Sequence, residues 1–324
     1  MTSGAPVAPS DSDHPRVTIY VPTYRNELIF GRCLDSYRMQ TYENLSIRIF
    51  DDSLADGYSQ IADLVSDCRD NRIHYVANSP RLGAPGNDIR ILSEIAPDEL
   101  VLVVPADMGL RADAVAFMVD ALIQNRASVI RPGTATHEYA TLESDGDYDF
   151  STPIRTDRPE SVTAQQVVSS ASLIEKYFGP QNARGEYFDF SFWGSLVRGL
   201  LVQGFDDGYR RFSFHGFEQY VSLQLLLSTP SVVLEPELLL QGFLGQPRLG
   251  GYQRPEDNSS RAECLVACAD FLNRRDFRLL QQGLDLTSLR RGLVRNANHY
   301  LETFSGYQGY ARSIIASNAA YLDS

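Results

Sequence analysis

Lysine is almost missing from this chain. Lys176 is the single lysine among 29 basic residues. Chemistry that needs a Schiff-base or phosphate-gripping lysine therefore has one candidate. Cysteine is scarce as well: Cys33, Cys68, Cys264 and Cys268 are the only 4 in 324 residues, too few for a secreted disulfide scaffold. Cys264 and Cys268 fall on one helical face. No second Cys/His pair has matching spacing, so two packed thiols are favoured over half a zinc site. No G-x-G-x-x-G follows the first strand, which argues against a dehydrogenase. Positive charge is in deficit, with a net −12, and this argues against nonspecific binding to nucleic acid or anionic membranes. The first 15 residues are small, acidic and Pro-containing, unlike a signal peptide. The longest apolar stretch, Leu223 to Leu240, is interrupted by Pro230, Glu235 and Pro236 and does not make a transmembrane helix. A cytoplasmic protein is expected.

What is present is a hydrophobic complement of 43%, enough for a sizeable core, and two acidic strand ends. Ile47-Arg48-Ile49-Phe50 stops at Asp51-Asp52, and Leu100-Val101-Leu102-Val103-Val104 stops at Pro105-Ala106-Asp107. In an α/β sheet ligands bind outside the carboxyl ends of the strands. Carboxylates released there suit a nucleotide, or a hard cation escorting a diphosphate.

The chain alternates strand and helix from Arg16 onward. Strands are expected at Val17–Val21, Leu45–Phe50, Ile73–Val76 and Leu100–Val104, with another starting at Val129. Helices are expected at Glu27–Met39, Tyr58–Cys68, around Ile89–Ile95 and at Arg111–Gln124. In the last of these Val115, Met118, Val119 and Leu122 recur at helical spacing. The alternation implies an α/β fold with a doubly wound, largely parallel sheet. Residues 133–165 read as a long loop. Phe188, Phe190 and Phe192 alternate as in a strand, Gly216–Leu227 reads as a helix, and Ser231–Leu234 as a short strand. From Asn258 the chain is helical, with Ser260 and Glu263 forming a capping-box signal. The expected organisation is a disordered tail over 1–15, a main domain over 16–245 whose halves meet near 131–132, and a Gly/Pro-rich loop with a helical extension over 246–324.

Residues 17–27, VTIYVPTYRNE, resemble the opening strand and turn of the family 2 glycosyltransferases, whose usual form is hydrophobic-P-T/V-Y-N. The resemblance continues through RCLDSYRMQTYENLSIRIFDDS and through HYVANSPRLGAPGND, which matches R-Y-x-x-N-x-x-L-G. VLVVPADMGL stands where the family carries a metal-binding D-x-D. WGSLVRGLLVQGFDDGYRRFSFHGFEQYVSLQL resembles the acceptor half, with its G-F-D-E turn and E-D helix start. Together these cover about residues 16–235 in the expected order. The resemblance implies a GT-A fold and inverting sugar transfer from a nucleotide diphosphosugar.

It also implies roles. Pro22, Thr23 and Tyr24 would line the nucleotide pocket, with Tyr24 stacking on base or ribose. Asp52 would accept from the base; a carboxylate only accepts, so it suits the imide N–H of uracil or thymine, although an adenine amine also satisfies it. A packing role for Tyr24 and a helix-capping role for Asp52 are the plain alternatives. Asp107 would bind Mg²⁺ or Mn²⁺, or else cap the following helix. The first carboxylate of the usual D-x-D is absent. The segment after Leu82-Gly83 departs from the usual A-R-N, carrying Asp88 and Ile89 there, with Arg90 as a stand-in. Glu218 falls on the position of the catalytic base, which removes the acceptor proton; favourable placement at a helix N-terminus would also account for it. Trp193 and His215, and Arg248 and Arg254 in the Gly-rich segment, are weaker candidates for acceptor or diphosphate contacts. Asp206-Asp207 read as the turn before Gly208.

The expected partners are a nucleotide-sugar donor and a soluble small-molecule, natural-product or peptide acceptor. The apolar helical tail suits either a homodimer or packing back on the domain. A nucleotide-sugar-binding protein without catalysis is the rival from another class. A sugar nucleotidyltransferase is disfavoured, because the turn Pro22-Thr23-Tyr24-Arg25-Asn26 has neither glycine nor lysine.

Overall fold

A computed structural model describes residues 14–25, 27–53, 60–138, 155–157, 164–179, 190–244, 259–303 and 308–319. Its centre is a ten-stranded mixed sheet. Strands β1 (Val17–Thr23), β2 (Leu45–Asp51), β3 (Ile73–Ala77) and β4 (Leu100–Val103) run parallel in the order β3-β2-β1-β4. The sheet then continues β9-β6-β10-β5, with β9 (Leu196–Arg198) antiparallel to both β4 and β6. In this part lie β5 (Met108–Leu110), β6 (Val129–Glu138) and β10 (Ser231–Leu244). At its margin β7 (Arg155–Asp157) pairs with β6, and β8 (Gln166–Ser169) pairs with β10.

The side-chain period of two sorts each strand between two cores. Val17, Ile19 and Val21 of β1 join Ile47 and Ile49 of β2 and Leu100 and Leu102 of β4 on one face. Helices α1 (Glu27–Arg38), α2 (Gln60–Cys68) and α4 (Ala114–Gln124) cover that face through Ile29, Phe30, Ile61, Val115 and Met118. Tyr20, Phe50, Val101 and Val103 point to the other face. There they meet α3 (Gly83–Glu94), α5 (Ser170–Tyr177) and α7 (Phe214–Ser228). The short α6 (Gly199–Val202) and a 3₁₀ turn (Asp207–Arg211) link β9 to α7.

The C-terminal helices are α8 (Ser259–Gln281), α9 (Leu286–Thr303) and α10 (Gln308–Ser317). Leu265, Phe271, Leu272, Leu293 and Ile314 from these helices share one core with Phe217 and Tyr220 of α7. The Tyr220 and Phe271 rings meet edge to face, 5.8 Å between centroids. Arg275 ion-pairs with Asp206 across the same seam. This apolar tail packs back on the acceptor half.

Several expectations shift. The helix expected from Arg111 starts at Ala114. The strand expected at Ser231–Leu234 runs on to Leu244, past Pro236, because its register against β6 slips between Glu235 and Leu238. A bulge of this kind tolerates proline. Gly133 lies opposite, where a Cβ would come 2.9 Å from the Pro236 carbonyl oxygen. The segment read as a loop from 133 thus begins as strand and includes β7. Phe190 and Phe192 are not in a strand. They are buried beside a turn that precedes β9, so their alternation reflects packing; Phe188 lies outside the described residues. The Glu263 carboxylate, expected in a capping box with Ser260, caps a different helix, α7; the Ser260 side chain is not among those described.

Candidate active site

The register of β1 against its neighbours brings the two acidic ends to one edge. Thr23 pairs with Asp51, and Tyr20 with Val103. Pro22 is half-buried at the end of β1, and the buried Thr23 hydroxyl has no hydrogen-bond partner. Asp51 is turned inward, accepting from the Ser53 amide at 2.8 Å and the Tyr75 hydroxyl at 2.7 Å. Asp52 is heavily bonded. It accepts from the backbone N–H groups of Leu82 and Gly83, both at 2.7 Å, and from Asn78 Nδ2 at 3.1 Å. Its carboxylate therefore anchors the N-terminus of α3, where negative charge is favoured.

Arg81 adds a residue that sequence reasoning did not single out. Its guanidinium sits 4.0 Å from the centroid of the Tyr24 ring and 3.7 Å from Asp52 Oδ2. Arg81 is 46% exposed, so Tyr24, Arg81 and Asp52 form an open, polar mouth at the end of β1 and β2. The signal for it was the pairing of a basic residue with the L-G segment. Arg90 is placed otherwise. It donates to Asn78 Oδ1 at 2.5 Å and pairs with Glu94 at 3.2 Å while lying over Phe50. These contacts brace α3 against β2 and β3.

Asp107 occupies the turn between β4 and β5, closed by the Met108 amide donating to the Pro105 carbonyl at 2.9 Å. It is half-buried, beside Cys33 and Tyr37. Burial pushes the Cys33 thiol and Tyr37 phenol up, and the Asp107 charge adds to this. Among the described residues no three His, Cys, Asp or Glu side chains group to hold a metal. Asp107 is a one-carboxylate position, which fits a cation that takes its other ligands from phosphate and water.

The acceptor half is joined to this edge through one turn. The Gly194 amide donates to the Val103 carbonyl at 2.8 Å. Gly194 has φ +78°, and a Cβ there would come 2.6 Å from Leu240 Cδ1, so the position requires glycine. Next to it Trp193 packs edge to face on Phe192 and Phe217, at 5.3 and 5.7 Å between centroids. At 6% exposure it is a wall of the core more than an open floor. Glu218 stands near the start of α7, half-buried, and accepts from the Ser191 hydroxyl at 2.9 Å. The α7 N-terminus is held by Glu263 of α8, which accepts from the Ser213 and Gly216 amides.

The largest omission of sequence reasoning is Asp88. Noted there only as a departure from A-R-N, it is 3% exposed, and its Oδ1 has no hydrogen-bond partner. Burial pushes its carboxyl up to about 8, with the Glu218 charge adding to the rise. The side chain of His215 is not among those described, and Arg248 and Arg254 lie outside the described residues. Cys264 and Cys268 are free thiols on α8. Burial pushes Cys268 up to about 12 and Cys264 higher, as expected of packed thiols.

Comparison with known proteins fits this arrangement. Residues 18–174, just under half of the chain, match the model of glycosyl transferase family 2. The chain is 22% identical over 300 residues to the glycosyltransferase GlyG of Streptococcus pneumoniae serotype 4 (strain ATCC BAA-334 / TIGR4), covering 90% of each. It is 25% identical over 190 residues to glycosyltransferase GlyA of the same strain, covering 58% of this chain and 25% of that one. The chain thus spans about a quarter of the length of GlyA. Among solved structures, S. aureus TarS 1–349 in complex with UDP-GlcNAc has a TM-score of 0.57 at 15% identity, covering 94% of this chain and 89% of that one. The mannosyltransferase PcManGT from Pyrobaculum calidifontis, in complex with GDP-Man and Mn²⁺, has a TM-score of 0.51 at 15% identity, with 97% and 82% covered. The fold is GT-A, the architecture of nucleotide-sugar-dependent transferases. Over residues 18–174 the chain is thus similar to glycosyl transferase family 2. Among the described residues no helix is long and apolar enough to cross a membrane.

Proposed function

We propose that the protein transfers a sugar from a UDP- or TDP-linked donor to a soluble small-molecule, natural-product or peptide acceptor, inverting the anomeric centre. The observation that carries this reading is the Ser191–Glu218 hydrogen bond. It holds a half-buried carboxylate on α7, beside the turn that joins Trp193 to the end of β4. Glu218 removes the acceptor proton as the acceptor oxygen attacks the anomeric carbon. The bond from that carbon to the diphosphate oxygen breaks, and the nucleoside diphosphate leaves. A positioned base of this kind contributes on the order of 10²–10⁴-fold. Ser191 donates to one carboxylate oxygen and leaves the other to take the proton.

Tyr24 and the unpartnered Thr23 hydroxyl line the nucleotide mouth, with Pro22 behind them. Asp52 keeps lone-pair capacity for a base N–H on the side where Arg81 makes only a 3.7 Å contact. Held by Asp107 and phosphate oxygens, Mg²⁺ or Mn²⁺ would neutralise charge on the leaving diphosphate. The UDP-GlcNAc complex of TarS supports a uridine donor, whereas the GDP-Man complex of PcManGT keeps guanosine in the test.

The test is calorimetric titration of UDP, TDP, GDP and ADP, each with and without Mn²⁺, on the parent, Asp107→Ala and Glu218→Gln. The expected result is UDP or TDP binding that needs the metal, disappears in Asp107→Ala and survives in Glu218→Gln while sugar transfer is lost. Transfer that persists in Glu218→Gln removes the base assignment. Metal-indifferent binding removes the metal assignment, and no nucleotide binding at all overturns the reading.

A further inference from the structure

One peptide unit ties the two halves of the site together. The carbonyl of Trp193 and the N–H of Gly194 both belong to it and point opposite ways. The N–H donates to the Val103 carbonyl at 2.8 Å, on the strand that leads to Asp107. The carbonyl accepts from Arg131 Nη1 at 2.7 Å, on β6. This peptide lies just ahead of β9, whose residues pair with β4 on one side and β6 on the other. Its carbonyl lies beyond those paired residues and takes its donor from a side chain. Gly194 turns the chain at φ +78°, and a Cβ there would come 2.8 Å from Arg131 Nη1. On its other flank the turn is stitched to α7. The Phe192 amide donates to Ser222 Oγ at 3.1 Å, and the Ser191 hydroxyl donates to Glu218 Oε1 at 2.9 Å. Glu218 and Ser222 are one helical turn apart, so one face of α7 meets the turn. Arg131 itself breaks the apolar pattern of its strand. Val129 belongs to the core on the α7 side of the sheet, and the period of two directs Arg131 to the same side. A half-buried guanidinium in that place is costly unless it is hydrogen-bonded.

We propose that Arg131 is a positioning residue of the transfer reaction: it grips the Trp193 carbonyl and so holds the turn that sets Glu218 against the end of β4. Without the guanidinium the peptide keeps only its bond to Val103. Its carbonyl end is released, and the motion passes to Glu218 by two routes. One is the Ser191 hydrogen bond, and the other is the Trp193 ring, edge-packed on Phe217, the residue before Glu218. A misplacement of about 1 Å far from the chemistry can cost on the order of 10²-fold in rate. The nucleotide mouth is built by Tyr24, Arg81 and Asp52 at the ends of β1 and β2, so donor binding is untouched. The effect on turnover rests on Glu218 being the base; the grip of Arg131 on the turn does not.

The chain contains one tryptophan, so indole fluorescence reports the turn directly. The experiment compares the parent with Arg131→Met and Arg131→Lys in the full chain, by UDP and TDP titration, by kcat and KM, and by Trp193 emission and its quenching by acrylamide. The expected result for Arg131→Met is a kcat lowered roughly tenfold to hundredfold with nucleotide affinity as in the parent, and a Trp193 emission that is red-shifted and more easily quenched. Arg131→Lys, which returns one donor, recovers most of the lost turnover. Placed in Glu218→Gln, Arg131→Met lowers turnover no further, because groups that act through one another are not additive. Should Arg131→Met not fold, Arg131→Gln replaces it, with a polar side chain too short for the carbonyl. Parental kcat in the folded variant overturns the proposal. So does a loss of nucleotide affinity as large as the loss of kcat, or an unchanged Trp193 emission. Transfer that persists in Glu218→Gln defeats the base reading instead, and Trp193 emission in Arg131→Met then still decides the grip.

Discussion

Glu263 and Ser213, 50 residues apart in the chain, are bonded twice, the Glu263 carboxylate accepting from both the amide and the hydroxyl of Ser213. The same carboxylate takes the Gly216 amide at 3.2 Å. A side chain of the C-terminal helices thus supplies the N-terminal cap of α7, the helix that carries Glu218. Losing a cap costs about 0.5–2 kcal/mol. Glu263→Ala is expected to lower unfolding stability by that amount, measured by urea denaturation. It is also expected to lower kcat more than it weakens donor binding, since the cap fixes Glu218 and touches nothing at the nucleotide mouth. Glu263→Gln, which keeps an acceptor, recovers most of the activity. An unchanged kcat in a destabilised Glu263→Ala would show that the cap serves the fold alone.

Asp52 and Tyr24 meet at the same mouth, yet their substitution is expected to read out differently. Asp52 holds two backbone amides and the Asn78 side chain. Asp52→Ala strands these donors at the start of α3, and a buried unsatisfied group costs roughly 1–3 kcal/mol. Its main effect falls on melting temperature, with nucleotide affinity lost in parallel. Tyr24 presents its ring to Arg81. Stacking of a base on an aromatic ring is worth about 1–3 kcal/mol, so Tyr24→Ala is expected to weaken UDP or TDP binding roughly tenfold to hundredfold. A Tyr24→Ala variant that binds as the parent does would place the base elsewhere.

The parallel half of the fold was legible because its signals are local. Apolar runs such as Val17–Val21 and Leu100–Val104 ended at turn residues, and the helical stripe of Val115, Met118, Val119 and Leu122 is buried as its spacing implies. The carboxylates at Asp51, Asp52 and Asp107 end up at the carboxyl ends of β2 and β4, the two strands that flank β1, where the strand pattern put them. What escaped was set by distant partners. Ser260 and Glu263 have the spacing of a capping box, but Ser213 competes for the carboxylate from another helix. Phe190 and Phe192 alternate like a strand because a tight turn also buries large side chains. Asp88 looked like a lost arginine, since nothing in the sequence shows that its place on α3 is buried. Arg81 and Arg90 are neighbours in the sequence sense only. Arg81 lies before Gly83, where the helix that carries Arg90 begins.

Asp88 also gives the fold a pH dependence whose sign is fixed. Its carboxyl is pushed from 3.8 up to about 8 in the folded protein, by burial first and the Glu218 charge second. Between those two values the folded chain holds a proton that the unfolded chain has released. Unfolding then releases a proton, so this residue's contribution to stability falls as pH rises through that window and levels off above about 8. The steepest slope that one such proton allows is about 1.4 kcal/mol per pH unit. Asn at position 88 binds no proton in either state and removes the slope. Asp88→Asn is therefore expected to gain stability relative to the parent from pH 5 to pH 7.5, read as the difference between their urea midpoints at each pH. A difference that is flat across that range would mean that Asp88 is ionised in the folded protein, with a cation or water satisfying the oxygen that the structure leaves without a partner.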